Sequence, residues 1–127
     1  MNDSAYELNS VLESAEKKLK TINEQQSAKK PSQDKWSSKE ILGHLIDSSV
    51  NNMIRFVNGQ FKSDLVFSGY DQNKWVKAQN YLNAEWNFLI DLWKMNNFQL
   101  VRLIGSIPDD VLKKLTINHN YDQIAWK

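Results

Sequence analysis

The chain contains no cysteine. Disulfides, thiolate nucleophiles and cysteine-based zinc sites are therefore excluded. It also lacks an excess of either charge: 16 basic residues stand against 15 acidic ones, for a formal charge of +1. Such a chain casts no strong long-range field, so neither nucleic acid nor an anionic membrane is implied as a partner. Lys17, Lys18 and Lys20 lie together, as do Lys29 and Lys30. These clusters read as solvated helix surface, with a local basic patch as the alternative. No stretch approaches the ~20 apolar residues of a membrane span. The first residues lack the basic segment and apolar run of a secretory signal. A cytoplasmic protein is the expectation. The Gly-rich phosphate loop, the Walker pattern, His-Glu-x-x-His and Gly-x-Ser-x-Gly are all missing, which removes the common nucleotide, zincin and serine-hydrolase motifs.

What remains is an ordinary globular composition, 41% apolar and 24% charged. A length of 127 residues suggests a single domain over 1–127. A domain of that size buries roughly two-thirds of its unfolded surface, enough for a core without staples. Five Trp, five Phe and four Tyr supply much of that area.

Leu8, Val11, Leu12, Ala15, Leu19 and Ile22 recur at steps of three and four, which predicts a first helix from about Ser4 to Ala28. Pro31, Ser32, Gln33 and Asp34 break it. The run Trp36-Ser-Ser-Lys-Glu-Ile-Leu-Gly-His-Leu-Ile-Asp47 opens a second helix, from about Ser38 to Gln60. Ser37 and Glu40 fit a capping box, and Trp36 and Ile41 have the spacing of a hydrophobic staple. Ile41, Leu42, Leu45, Ile46, Val50, Met53, Ile54 and Val57 cover more than half the helix circumference, so this helix needs more than one neighbour. Phe61 to Phe67 is the best strand candidate, although Lys62 and Asp64 interrupt it; otherwise residues 61 to 70 read as a loop. Asp71 is placed to cap a short turn carrying Trp75. Leu82, Trp86, Leu89, Trp93, Leu100, Ile104 and Ile107 form a near-heptad seam, broken at Asn96 and Asn97, on a third helix from about Tyr81 to Ser106. Pro108 stops it, and Asp109 to Leu115 makes a short fourth piece. The expected fold is all-α, an antiparallel up-down bundle with its fourth helix incomplete.

His44 and Asp47 are the chemical candidates. They stand at i and i+3 on one helix surface, where a neutral imidazole can bind a metal and a carboxylate can orient it. By helical angle His44 falls nearly opposite the centre of the apolar arc, where a solvated residue belongs, and Asp47 shares that alternative. Asn51 and Arg55 continue the polar stripe, and an Arg there could grip an anionic substrate group or simply face water. His119 lies outside any periodic segment and makes a poor ligand. Tyr70, Asp71 and Trp75 are explained by capping and packing, and Trp86 and Trp93 by the core.

The same run resembles the DinB/YfiT-like superfamily of metal-dependent enzymes. Arg55, Gly69-Tyr-Asp-Gln-x-x-Trp75, Trp86-x-x-Leu-Ile-x-Leu-Trp93 and Ile107-Pro108 extend the resemblance over roughly residues 4 to 115. It implies a four-helix bundle holding a divalent metal, commonly nickel or zinc, in a cleft at one end. His44 matches the ligand of the His-Leu-x-Asp helix, with Asp47, Asn51 and Arg55 as supporting or substrate-contacting residues. It also implies thiol-dependent transferase or isomerase chemistry on a small-molecule substrate, with a low-molecular-weight thiol, and a homodimer; the activity expected for this chain is that of a thiol-dependent transferase or a hydrolase. The two further ligands of the family come from a His-x-x-x-His pair on the last long helix, and this sequence contains no such pair. Two expectations follow: a metal-dependent enzyme, here either a truncated form of a longer protein or a shortened, inactive member that has lost the metal, or a non-catalytic helical dimerisation or partner-binding module.

Overall fold

The computed structural model describes residues 3–61 and 69–117. Six α-helices and one 3₁₀ turn make up these residues, with no strand among them. They are α1 (Asp3–Leu19), α2 (Glu24–Ala28), α3 (Ser38–Phe61), α4 (Gln72–Gln79), the 3₁₀ turn Tyr81–Asn83, α5 (Trp86–Gly105) and α6 (Asp109–Ile117). The all-α expectation holds. No helix among the described residues is long and apolar enough to cross a membrane.

The predicted first helix is two helices. Asn23 starts α2 with a capping box of its own: its Oδ1 accepts from the Gln26 N–H at 2.8 Å, and Gln26 Oε1 accepts from the Asn23 N–H at 2.9 Å. An extended cap residue cannot continue the preceding helix. The turn is secured from outside: the Trp86 indole N–H donates to the Leu19 carbonyl at 3.1 Å, satisfying a free group at the end of α1. α3 begins where its capping box predicts, with the Glu40 N–H donating to Ser37 Oγ at 3.2 Å and the Ser37 N–H to Glu40 Oε1 at 3.1 Å. Trp36 does not simply staple Ile41, which is 49% exposed; its indole lies tilted against the His44 ring, centroids 5.3 Å apart. The predicted third helix starts as the 3₁₀ turn Tyr81–Asn83, and the extended Ala84 separates it from α5 at Trp86. Asn80 adopts the left-handed conformation (φ 56°), ends α4, and sets off the Tyr81 turn ahead of α5. Of the strand candidate, Phe61 closes α3, and the rest lies outside the described residues.

α5 is the central helix, with α3 and α1 packed on it. Trp93, Leu89, Leu100 and Ile104 of α5, Leu42 and Ile46 of α3, and Ala5, Leu8 and Leu12 of α1 form the core. The break expected at Asn97 does not occur: its amide donates to its own helix at the Trp93 carbonyl (2.8 Å), which lets it be buried within the seam. A polar clamp closes one end. Lys39, nearly buried, meets Glu24 at 2.6 Å, and Glu24 also accepts from the Trp86 N–H at 2.9 Å, so one carboxylate joins α2, α3 and α5. The Lys39 ammonium and the Trp86 amide hold Glu24 below the usual carboxylate range. α6, the short fourth piece expected from Asp109, packs on α3 and buries Leu112 and Leu115.

Candidate functional site

The polar arc of α3 would face water if α5 were its only cover. Instead α4 and the Tyr81 turn pack across it. Asp47, for which the sequence left open a place beside His44 or one facing water, is thereby fully buried. Its Oδ1 accepts two side-chain hydrogen bonds, from the Tyr81 hydroxyl at 2.6 Å and from Gln79 Nε2 at 3.1 Å. Its Oδ2 is buried with no protein partner. Burial pushes the Asp47 carboxyl above its ordinary value; the Tyr81 and Gln79 hydrogen bonds and the His44 charge oppose this only in part. Tyr81 is driven well above the ordinary phenol range by burial, then by its bond to the carboxylate.

Gly43 explains how Tyr81 reaches this position. A Cβ at residue 43 would overlap the Tyr81 ring, so the absence of a side chain is what lets the ring lie flat on α3. Asn80, in its left-handed conformation, then aims the chain so that Gln79 and Tyr81, on either side of it, reach the same carboxylate.

His44 is half-buried, not solvated. Its Nδ1 is buried and without a hydrogen bond, and its ring is covered by Trp36. Burial lowers its pKa, and the nearby Asp47 charge raises it by less. The imidazole is thus held toward the neutral form, the form that ligates metals or accepts protons.

Asn51 does not reach the Asp47 carboxylate; its amide donates to the Asp47 backbone carbonyl at 2.8 Å. Arg55 is half-buried and lies close enough to Tyr70 for its charge to favour the phenolate slightly. Tyr70 is more than a packing residue: its hydroxyl shares a 3.1 Å hydrogen bond with Ser48, and its ring meets Trp75 edge-on at 5.3 Å. Burial raises its pKa above the ordinary phenol value. Asp71 does cap α4, accepting from the Lys74 N–H at 3.0 Å. His119 lies outside the described residues.

The site therefore joins His44 and Asp47, as the sequence suggests, to Gln79 and Tyr81, which sequence reasoning does not single out. Their signals were present but local: a glycine on the polar face of a helix, and an asparagine between two residues able to donate. Among the described residues, no three His, Cys, Asp or Glu side chains converge as a metal site would require. His44 Nδ1 and Asp47 Oδ2 are suitable donors by type, but a catalytic metal normally takes three protein ligands. The donor set is one short. No protein-family model, curated protein or solved structure matches the chain.

Proposed function

We propose that the chain is a DinB-like antiparallel helix bundle whose His44–Asp47 face is the active centre of a metal-dependent enzyme, a thiol-dependent transferase or a hydrolase. The observation that carries this reading is the pair of buried donor atoms, His44 Nδ1 and Asp47 Oδ2, left without protein partners one turn apart on α3. Unsatisfied buried polar atoms cost about 1–3 kcal/mol each, and functional sites are where that cost is retained. The antiparallel arrangement is supported between α1 and α5: Trp86 meets Leu19, and further along α5 Lys94 meets Glu16 at 2.9 Å, earlier in α1.

A nickel or zinc ion at this face would act as a Lewis acid or lower the pKa of a bound nucleophile. Because the described donors are one short, the reading requires a third ligand from a second copy or from residues outside those described. The chain's own contribution is positional. Tyr81 and Gln79 fix the carboxylate through Oδ1 and leave Oδ2 free, while burial keeps His44 neutral. A cytoplasmic location and a low-molecular-weight thiol co-substrate belong to the same proposal.

The test is metal content after nickel or zinc loading and desalting, measured beside His44→Ala. Near-stoichiometric metal that falls at least tenfold in the variant is expected. Wild-type protein that retains none sinks the reading.

A second reading is favoured by one separate observation. Ile54, Val57 and Phe61 are 50%, 41% and 81% exposed and lie in line on the last turns of α3. Such a stripe suits a homodimer or a partner helix.

A further inference from the structure

Beside the His44 face lies a cleft of about 350 Å³ between α4 and the residues that lead into α3. It is an open depression, most of whose lining residues are exposed. One wall is the Asn73, Val76 and Lys77 face of α4; the other is the connection carrying Lys30, Lys35 and Trp36.

Its charges are unequally engaged. Glu40 is already committed, accepting from the Ser37 N–H and hydroxyl at 3.1 Å each and meeting Lys30 at 3.7 Å. The ammonium groups of Lys35 and Lys77 have no salt bridge or hydrogen bond among the described residues. Two unpaired cations, one on each wall, thus line the cleft, and its one unpaired carboxylate, Asp34, adjoins Lys35 on the connection. Trp36 and the buried Val76 add an apolar, partly aromatic surface. A planar body bearing one negative charge matches both features, since lysines bind carboxylates as point charges while the indole accepts a ring face.

We propose that this cleft binds a small organic anion, an aromatic or similarly planar carboxylate, between Lys35 and Lys77 and against Trp36. The site goes beyond the metal reading and does not depend on it, although Trp36 touches both.

Calorimetric titration of the full chain with benzoate at constant ionic strength tests this, with benzamidine as a ring of the same shape and opposite charge. Benzoate is expected to bind with a Kd on the order of 1 mM. Lys35→Gln/Lys77→Gln, both at exposed positions, is expected to weaken it about tenfold, the sum of two modest charge contacts. Benzamidine is expected not to bind. No benzoate binding, equal binding of benzamidine, or an unchanged Kd in the double variant would each overturn the proposal. Metal content is read separately, so failure here leaves the metal reading standing, and the reverse holds.

Discussion

Asp47 is the residue on which the site's energetics turn. A carboxyl whose folded pKa is raised above its unfolded value binds more protons in the folded state over the interval between the two. Stability therefore falls as pH rises through that interval, from the ordinary aspartate value upward. Asp47→Asn cannot ionise, yet it keeps an oxygen to accept from Tyr81 and Gln79. Urea denaturation across pH 4 to 7 should show the variant gaining on the wild type as pH rises, by roughly 1–3 kcal/mol at neutrality. Glu16 and Glu24, whose pKa values are lowered by their lysine partners, contribute a slope of the opposite sign, but they are common to both proteins and cancel in the difference. A gap that does not change with pH would show that Asp47 carries no such penalty.

At the level of elements, α4 and the Tyr81 turn convert a polar helix face into a buried site, and Gly43 is the point of closest approach. Gly43→Ala improves helix propensity by about 1 kcal/mol. The added methyl overlaps a buried ring rather than a flexible tip, and overpacking of that kind costs typically 1–3 kcal/mol. A net loss of up to about 2 kcal/mol is expected from thermal or urea unfolding. In an exposed helix the same change stabilises, so a gain in the melting temperature would mean that Tyr81 does not rest on Gly43. The legible elements were those with strong local punctuation. Ser37 and Glu40 marked the start of α3, Asp71 that of α4 and Pro108 the end of α5, because caps and prolines act within one turn. The breaks at Thr21–Asn23 and at Ala84–Glu85 were missed because the apolar period continues across both, from Leu19 to Ile22 and from Leu82 to Trp86, and periodicity alone cannot see a turn that preserves the face.

For the whole molecule, the open question is which surface meets a partner. The sequence predicts that α3 needs more than one neighbour, and it has them in α5, α4 and α6. The cover is still incomplete along Ile54, Val57 and Phe61. If that stripe joins two copies, the wild type sediments as a dimer at micromolar concentration and Ile54→Glu/Phe61→Glu as a monomer. A wild type that remains monomeric over the same range excludes the homodimer.

By itself the sequence determined the all-α class, the placement of α3, and the juxtaposition of His44 and Asp47, since each depends on residues within a few turns of one another. Tertiary structure alone decided that Asp47 is buried, that Gln79 and Tyr81 are its partners some thirty residues away, and that Trp36 leans on His44. A helix pattern reports which face is apolar, but not whether another segment will cross the polar one. Here α4 does cross it, and an arc that reads as solvent-facing becomes the candidate site.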